Sequence, residues 1–173
     1  MSSRAFQAKR RAASLLEIIL GLPLLLILLL AVVQFGMLQS NQQVLHMASR
    51  QAALVAAELA FEPTGPVPAQ VVDAVNLVLR ENGVLGEEES VLAWGGIRVD
   101  HSVAASSEDT LPFVLESGEN PAPPPLTDYP RQPFVQVTVT IEATRLAPNT
   151  LKVFGIDFEN RYVSQTSLYQ HER

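Results

Sequence analysis

The sequence contains no cysteine, which excludes disulfides, thiolate metal sites and a cysteine nucleophile while leaving the redox compartment open. Its three histidines, His46, His101 and His171, show no helical metal pairing such as HExxH, and no glycine-rich phosphate loop precedes a helix. Asp100-His101-Ser102 has the residue types of a triad, but consecutive residues of a strand point to opposite faces and cannot converge as nucleophile, base and orienter. No catalytic, metal or cofactor-binding residue is therefore assigned, and neither an enzyme nor a small-molecule substrate is expected.

Positive charge is scarce over most of the chain. Residues 1–38 hold Arg4, Lys9, Arg10 and Arg11 against Glu17, a balance of +3, whereas the rest holds 8 Lys+Arg against 17 Asp+Glu, a balance of −9. An acidic portion of this kind has no broad positive field to attract phosphate backbones, so nucleic acid is not an expected partner.

What the sequence has in excess is one apolar run. Ile18 to Leu38 reads IILGLPLLLILLLAVVQFGML, 21 residues without a charge and with Gln34 as the one strongly polar side chain. At about 1.5 Å per residue such a helix is about 30 Å long, the thickness of a hydrocarbon core. A helix on the surface of a soluble domain needs a polar face, which this run lacks. The four basic residues before it, with Arg50 the first after it, place the N-terminus in the cytoplasm and the remaining mass outside. A secretory signal has the same polarity but a shorter apolar region and a small-x-small cleavage site; the run here continues through Gln34-Phe35-Gly36-Met37-Leu38, so retention is the expectation.

Two features inside the run have a bland and a sharp reading. Glu17 at the cytoplasmic entrance is either an interface charge beside Arg10 and Arg11 or an assembly residue that pairs with the N-terminal amine of a neighbouring subunit. Pro23, which cannot donate to the carbonyl of Ile19, gives either a kink or a point of docking or local melting, with Gly21 beside it.

The ordered set Arg10-Arg11, Ala12-Ala13-Ser14, Glu17, Leu22-Pro23-Leu24 within a leucine run, Gln34-Phe35-Gly36 and the alanine-rich Ala48-Ser49-Arg50-Gln51-Ala52-Ala53 resembles the TadE-like family of the tight-adherence (Tad) pilus system, over about the first sixty residues. The resemblance implies a pseudopilin or minor pilin held in the inner membrane, with other pilin or pseudopilin subunits and the Tad assembly machinery as partners. It also implies a prepilin peptidase that cuts a few residues before Glu17. With Glu17 as fifth mature residue the scissile bond falls between Ala12 and Ala13; prepilin sites usually have glycine before the cut, where this chain has Ala12.

Beyond the run, residues 39–61 contain no proline or glycine and continue the helix. Gln39, Gln43, His46 and Arg50 share one face, and Ala48, Ala52, Ala56 and Ala60 repeat every four residues on another, a small-residue ridge that packs either on the chain's own domain or between subunits. Glu62 to Pro68 is a proline-rich linker. Val71, Val75, Val78 and Leu79 then predict a second helix, stopped at Asn82-Gly83. Glu87-Glu88-Glu89 reads as a solvated loop rather than a cation site. Strands are expected at Val91–Trp94 and Ile97–Val103 about a Gly95-Gly96 turn or bulge, at Phe134–Glu142, and at Leu151–Phe158 and Arg161–Leu168, with Glu116–Pro133 a loop. In Phe134–Glu142, Val135, Val137, Val139 and Ile141 alternate with Gln136, Thr138, Thr140 and Glu142, the pattern of a half-buried antiparallel strand.

The expected fold is α+β, pilin-like: a cytoplasmic basic leader (1–17), a transmembrane helix (18–38), its extracytoplasmic extension (39–61) and a small domain (62–173) of one helix and an antiparallel β-meander. The alternative, of another class, is a signal-anchored extracytoplasmic binding or regulatory module.

Overall fold

The computed structural model describes residues 3–59, 65–102, 113–118 and 134–170. It is α+β: one long helix, shorter helices and a four-stranded antiparallel sheet. Helix α1 runs without interruption from Ser3 to Glu58 and carries Pro23 inside it. Residues 24–58 hold no proline and a single glycine, Gly36, which the helix tolerates, and the leucine and alanine content of that stretch favours a helix.

Helix α2, Ala69–Glu81, stops at Asn82 as expected and buries Val71, Val75 and Leu79 of its apolar stripe; Val78 is only partly buried, and Val72 and Asn76, the latter expected on the polar side with Asp73 and Arg80, are buried as well. It packs against the upper part of α1. The linker before it is described from Gly65, where Val67 is buried and donates its N–H to Ser117 Oγ at 3.0 Å.

The sheet contains β1 (Gly95–Ser102), β2 (Phe113–Gly118), β3 (Phe134–Glu142) and β4 (Tyr162–Gln170), in the order β2-β1-β3-β4. Only β1–β2 and β3–β4 join consecutive strands; the chain passes from β2 across β1 to β3. One face is apolar, with Ile97, Val99, Leu115, Val135, Val137, Val139 and Ile141 buried in a single core with α1 and α2. The other is polar: it is buried along the central strands but exposed at the edges, at Glu116 on β2 and at Ser164, Thr166 and Leu168 on β4. Gln136, Thr138 and Thr140 are buried between neighbours on β1 and β4, and the Thr138–Thr166 and Thr140–Ser164 hydroxyl pairs each span 2.9 Å. The half-buried expectation for β3 fails because β3 is a central strand.

Four further expectations about the elements are corrected. Val91–Trp94 is a single helical turn, α3, not a strand: the side chain of Ser90 accepts from Leu92 N–H, and Asn76 Oδ1 accepts from Val91 N–H at 2.8 Å, which ends any extended ladder. Gly95-Gly96 is not a turn but the start of β1, where a Cβ on Gly95 would collide with the carbonyl oxygen of Thr140, so glycine lets the two strands meet. Leu151–Phe158 is not a strand. Thr150–Phe154 forms a 3-10 turn closed by Gly155 in the left-handed region (φ 84°), with Asn149 bonded to Asp157 at 2.6 Å across the loop. Glu116–Gly118, expected in the long loop, belong to β2, and residues 119–133 of that loop lie outside the described residues.

The triad residue types are separated as strand alternation requires. Asp100 lies on the polar face, where Arg98 Nε reaches its two oxygens at 3.1 and 3.0 Å, and His101 lies on the opposite face. Arg98 also binds Glu116 at 3.0 Å, so a buried guanidinium is shared by two carboxylates. Glu89, expected in a solvated acidic run, is half-buried: its carboxylate pairs with Arg145 at 3.1 Å, and Arg145 in turn stacks 3.3 Å over the Trp94 ring.

Candidate functional site

The residues that set this chain apart lie along α1, which has two parts with different surroundings. From Leu16 to Val33, twelve large apolar side chains are exposed, among them Leu20, Leu24 and Leu25 at about 70% of their full accessibility. Leaving each such side chain in water forgoes roughly 1.5–3 kcal/mol of transfer free energy, so an aqueous surface of this kind is strongly disfavoured. The helix is long and apolar enough to cross a membrane, and the most apolar part of it is not buried by the rest of the chain. It is therefore not the core helix of a soluble domain.

At Gln34 the surroundings change. Gln34, Asn41, Leu45, Ala48, Ala52 and Ala56 follow one another at intervals of three, four or seven, which places them on one stripe of the helix, and that stripe faces the sheet and α2. Leu45, Ala48, Ala52 and Ala56 are fully buried, and Ala53 nearly so. Small side chains there let α1 lie close to β3 and β4. Ala60 lies outside the described residues. The opposite face, Gln39, Gln43, His46 and Arg50, is exposed.

Three polar contacts fix the axial position of α1 on the domain. Gln34 Oε1 accepts from Thr150 Oγ1 at 2.7 Å and from Leu151 N–H at 3.0 Å, satisfying a donor at the first turn of the 3-10 segment. Asn41 Nδ2 donates to Leu146 O at 2.6 Å, and the hydroxyls of Ser49 and Ser167 meet at 2.7 Å. Phe35 packs edge-on against Phe158, ring centroids 6.1 Å apart. Gln34 is buried, and its amide nitrogen meets no acceptor among the described residues. A partly unsatisfied buried amide costs about 1–3 kcal/mol, so what Gln34 gains at Leu151 and Thr150 is partly offset. The signal for this pin was a single amide in an otherwise apolar run; its partners more than a hundred residues away carried none.

The loop that Gln34 holds is charged at its edges. Lys152 pairs with Glu159 and lies 3.6 Å from Asp157. The hydrogen bond to Glu159 raises the Lys152 ammonium above its ordinary value, and the Glu159 N–H, with Asn149 and Lys152, lowers the Asp157 carboxyl. Among the described residues no group of three or more His, Asp or Glu is placed to hold a metal.

Of the residues singled out at the N-terminus, Ala12 and Ala13 lie in the helical backbone of α1, Glu17 is exposed, and Pro23 sits within the exposed apolar part. The structure brings neither Glu17 nor Pro23 to the domain.

An exposed apolar helix, the one of its kind among the described residues, preceded by basic residues and pinned from Gln34 onward to an α+β domain, defines the class as a domain with an N-terminal helical anchor. The model of the family described as TadE-like protein matches residues 12–54, the same family that the N-terminal motifs resemble. No curated protein and no solved structure matches the chain. That match covers about a quarter of the chain, and the helix within it fits a single-pass membrane anchor. The sheet and α2 lie beyond the matched residues.

Proposed function

We propose that this chain is a pseudopilin or minor pilin that acts in assembly of a Tad (type IV-like) pilus and in surface adhesion, as a structural subunit rather than an enzyme. It sits in the inner membrane by one span within residues 18–38, with the basic leader 1–17 in the cytoplasm and residues 39–173 outside. Its partners are other pilin or pseudopilin subunits and the Tad assembly machinery. A prepilin peptidase removes the leader between Ala12 and Ala13, and Glu17 then meets the new N-terminal amine of a neighbouring subunit. Pro23, with the carbonyl of Ile19 free of its helical donor, is the point at which the helix adjusts during assembly.

The observation that carries this reading is the coincidence of the TadE-like match with the exposed apolar helix. The alanine ridge is occupied within the chain, so contact between subunits falls to the apolar face from Ile18 to Val33 and to the exposed face of Gln39, Gln43, His46 and Arg50. Replacing Glu17 with Ala or Gln in a complemented deletion strain tests it. The expected outcome is normal membrane insertion with loss of piliation and of co-purifying subunits; undiminished piliation rejects the role assigned to Glu17.

A further inference from the structure

The loop between the two contacts nearest the apolar run has a surface that the domain itself does not use. The chain descends alongside α1 from Leu146, bonded to Asn41, to Leu151, bonded to Gln34, and returns at Phe158 beside Phe35. Residues 152–157 make the turn between these points. Val153 is 88% exposed, and Phe154 and Ile156 are exposed at 49% and 43%. Phe35 and Met37 on α1 are exposed at the same level.

The length of the span sets where this tip must lie. Glu17 is the last charge before the run, and the roughly 20 residues that a hydrocarbon core requires carry the helix from Ile18 to Met37. Gln34 is about one helical turn short of that end, about 5 Å inside it. The loop therefore cannot bind Gln34 and remain clear of the lipid. Ile27, Leu30 and Ala31, on Gln34's face one to two turns lower, are only partly exposed, unlike Leu28, Leu29, Val32 and Val33 around them. Charge is compatible as well: Lys152 and Arg161 balance Asp157 and Glu159, so residues 149–161 are neutral in a portion of the chain that is otherwise acidic and would be repelled by anionic headgroups.

We infer that Val153, Phe154 and Ile156 form a second membrane contact, a tip that dips into the lipid interface on the side from which the domain projects and fixes the domain's tilt relative to the span. Aromatic and aliphatic side chains at such a depth behave as interfacial anchors. The inference rests on α1 being lodged in lipid, and the occupant of the tip is the bilayer itself.

The absence of cysteine gives a direct test. Val153→Cys, Leu25→Cys and Asn82→Cys variants of the full chain, each carrying one nitroxide, are reconstituted in phosphatidylethanolamine–phosphatidylglycerol bilayers. Collision with oxygen is then compared with collision with a water-soluble nickel chelate. The expected oxygen-to-nickel ratio at position 153 is several-fold above that at position 82 and approaches that at position 25. A high ratio at 25 with a water-like ratio at 153 overturns the tip contact while leaving the anchor intact, whereas a water-like ratio at 25 overturns the anchor itself. Low collision with both reagents at 153, with dipolar broadening between labels, means that a second copy covers the tip, and also overturns the inference.

Discussion

Below Gln34, α1 turns leucines and isoleucines outward over most of its circumference, with Ile27 and Leu30 on Gln34's face partly covered; above it, the same continuous helix turns alanines and Leu45 inward and leaves Gln39, Gln43, His46 and Arg50 outside. Helix propensity does not distinguish the two parts, since alanine, leucine and glutamine are all strong formers. Side-chain size and polarity do. The lower part is bulky and apolar around its whole circumference, which suits lipid; the upper part has a small-residue stripe that admits a sheet at close range, with Gln34, Asn41 and Ser49 as polar pins that set its register. A backbone legible as one helix is thus two structural units, and the division falls at its one buried amide.

The sharpest way to break this contrast is to make the same substitution in both parts. Leu45→Ala removes a fully buried side chain and is expected to destabilise the domain by about 2–5 kcal/mol, whereas Leu25→Ala is expected to leave it within about 0.5 kcal/mol. Denaturant unfolding of the full chain in micelles, followed by the fluorescence of the single tryptophan, Trp94, reads both. Equal losses would mean that the lower part also packs on the domain. A smaller effect is expected at the boundary: Gln34→Ala leaves the Leu151 N–H without its acceptor, costing about 1–3 kcal/mol and speeding hydrogen exchange at that amide. Unchanged exchange would remove Gln34 as the pin.

The regular parts of this fold were legible because their periods are clean. The apolar run is unbroken, the alanine ridge and the stripe of α2 repeat at helical spacing, and β3 alternates without interruption. The misread segments are short ones in which local side chains decide. Val91-Leu92-Ala93-Trp94 is four apolar residues, a length at which strand and buried helix look alike, and Asn76 and Ser90 settle it as a helical turn. Leu151 to Phe158 holds strand formers such as Val153, Phe154 and Ile156, yet Asn149, Gly155 and Asp157 close it into a loop. The candidate site divides in the same way. The anchor and its TadE-like motifs could be read directly, whereas Gln34 was visible only as an odd polar residue, and the Arg98–Asp100–Glu116 cluster depends on strand pairing across an order, β2-β1-β3-β4, that no local pattern encodes.

The division of α1 is tested most directly by placing single cysteines along it in intact bilayers and treating them with a membrane-impermeant maleimide from the side that carries the domain. The account predicts no reaction at positions from Leu20 to Val33 and ready reaction at Gln39, Gln43 and Arg50. A cysteine at Leu25 that reacts as fast as one at Gln43 would contradict it.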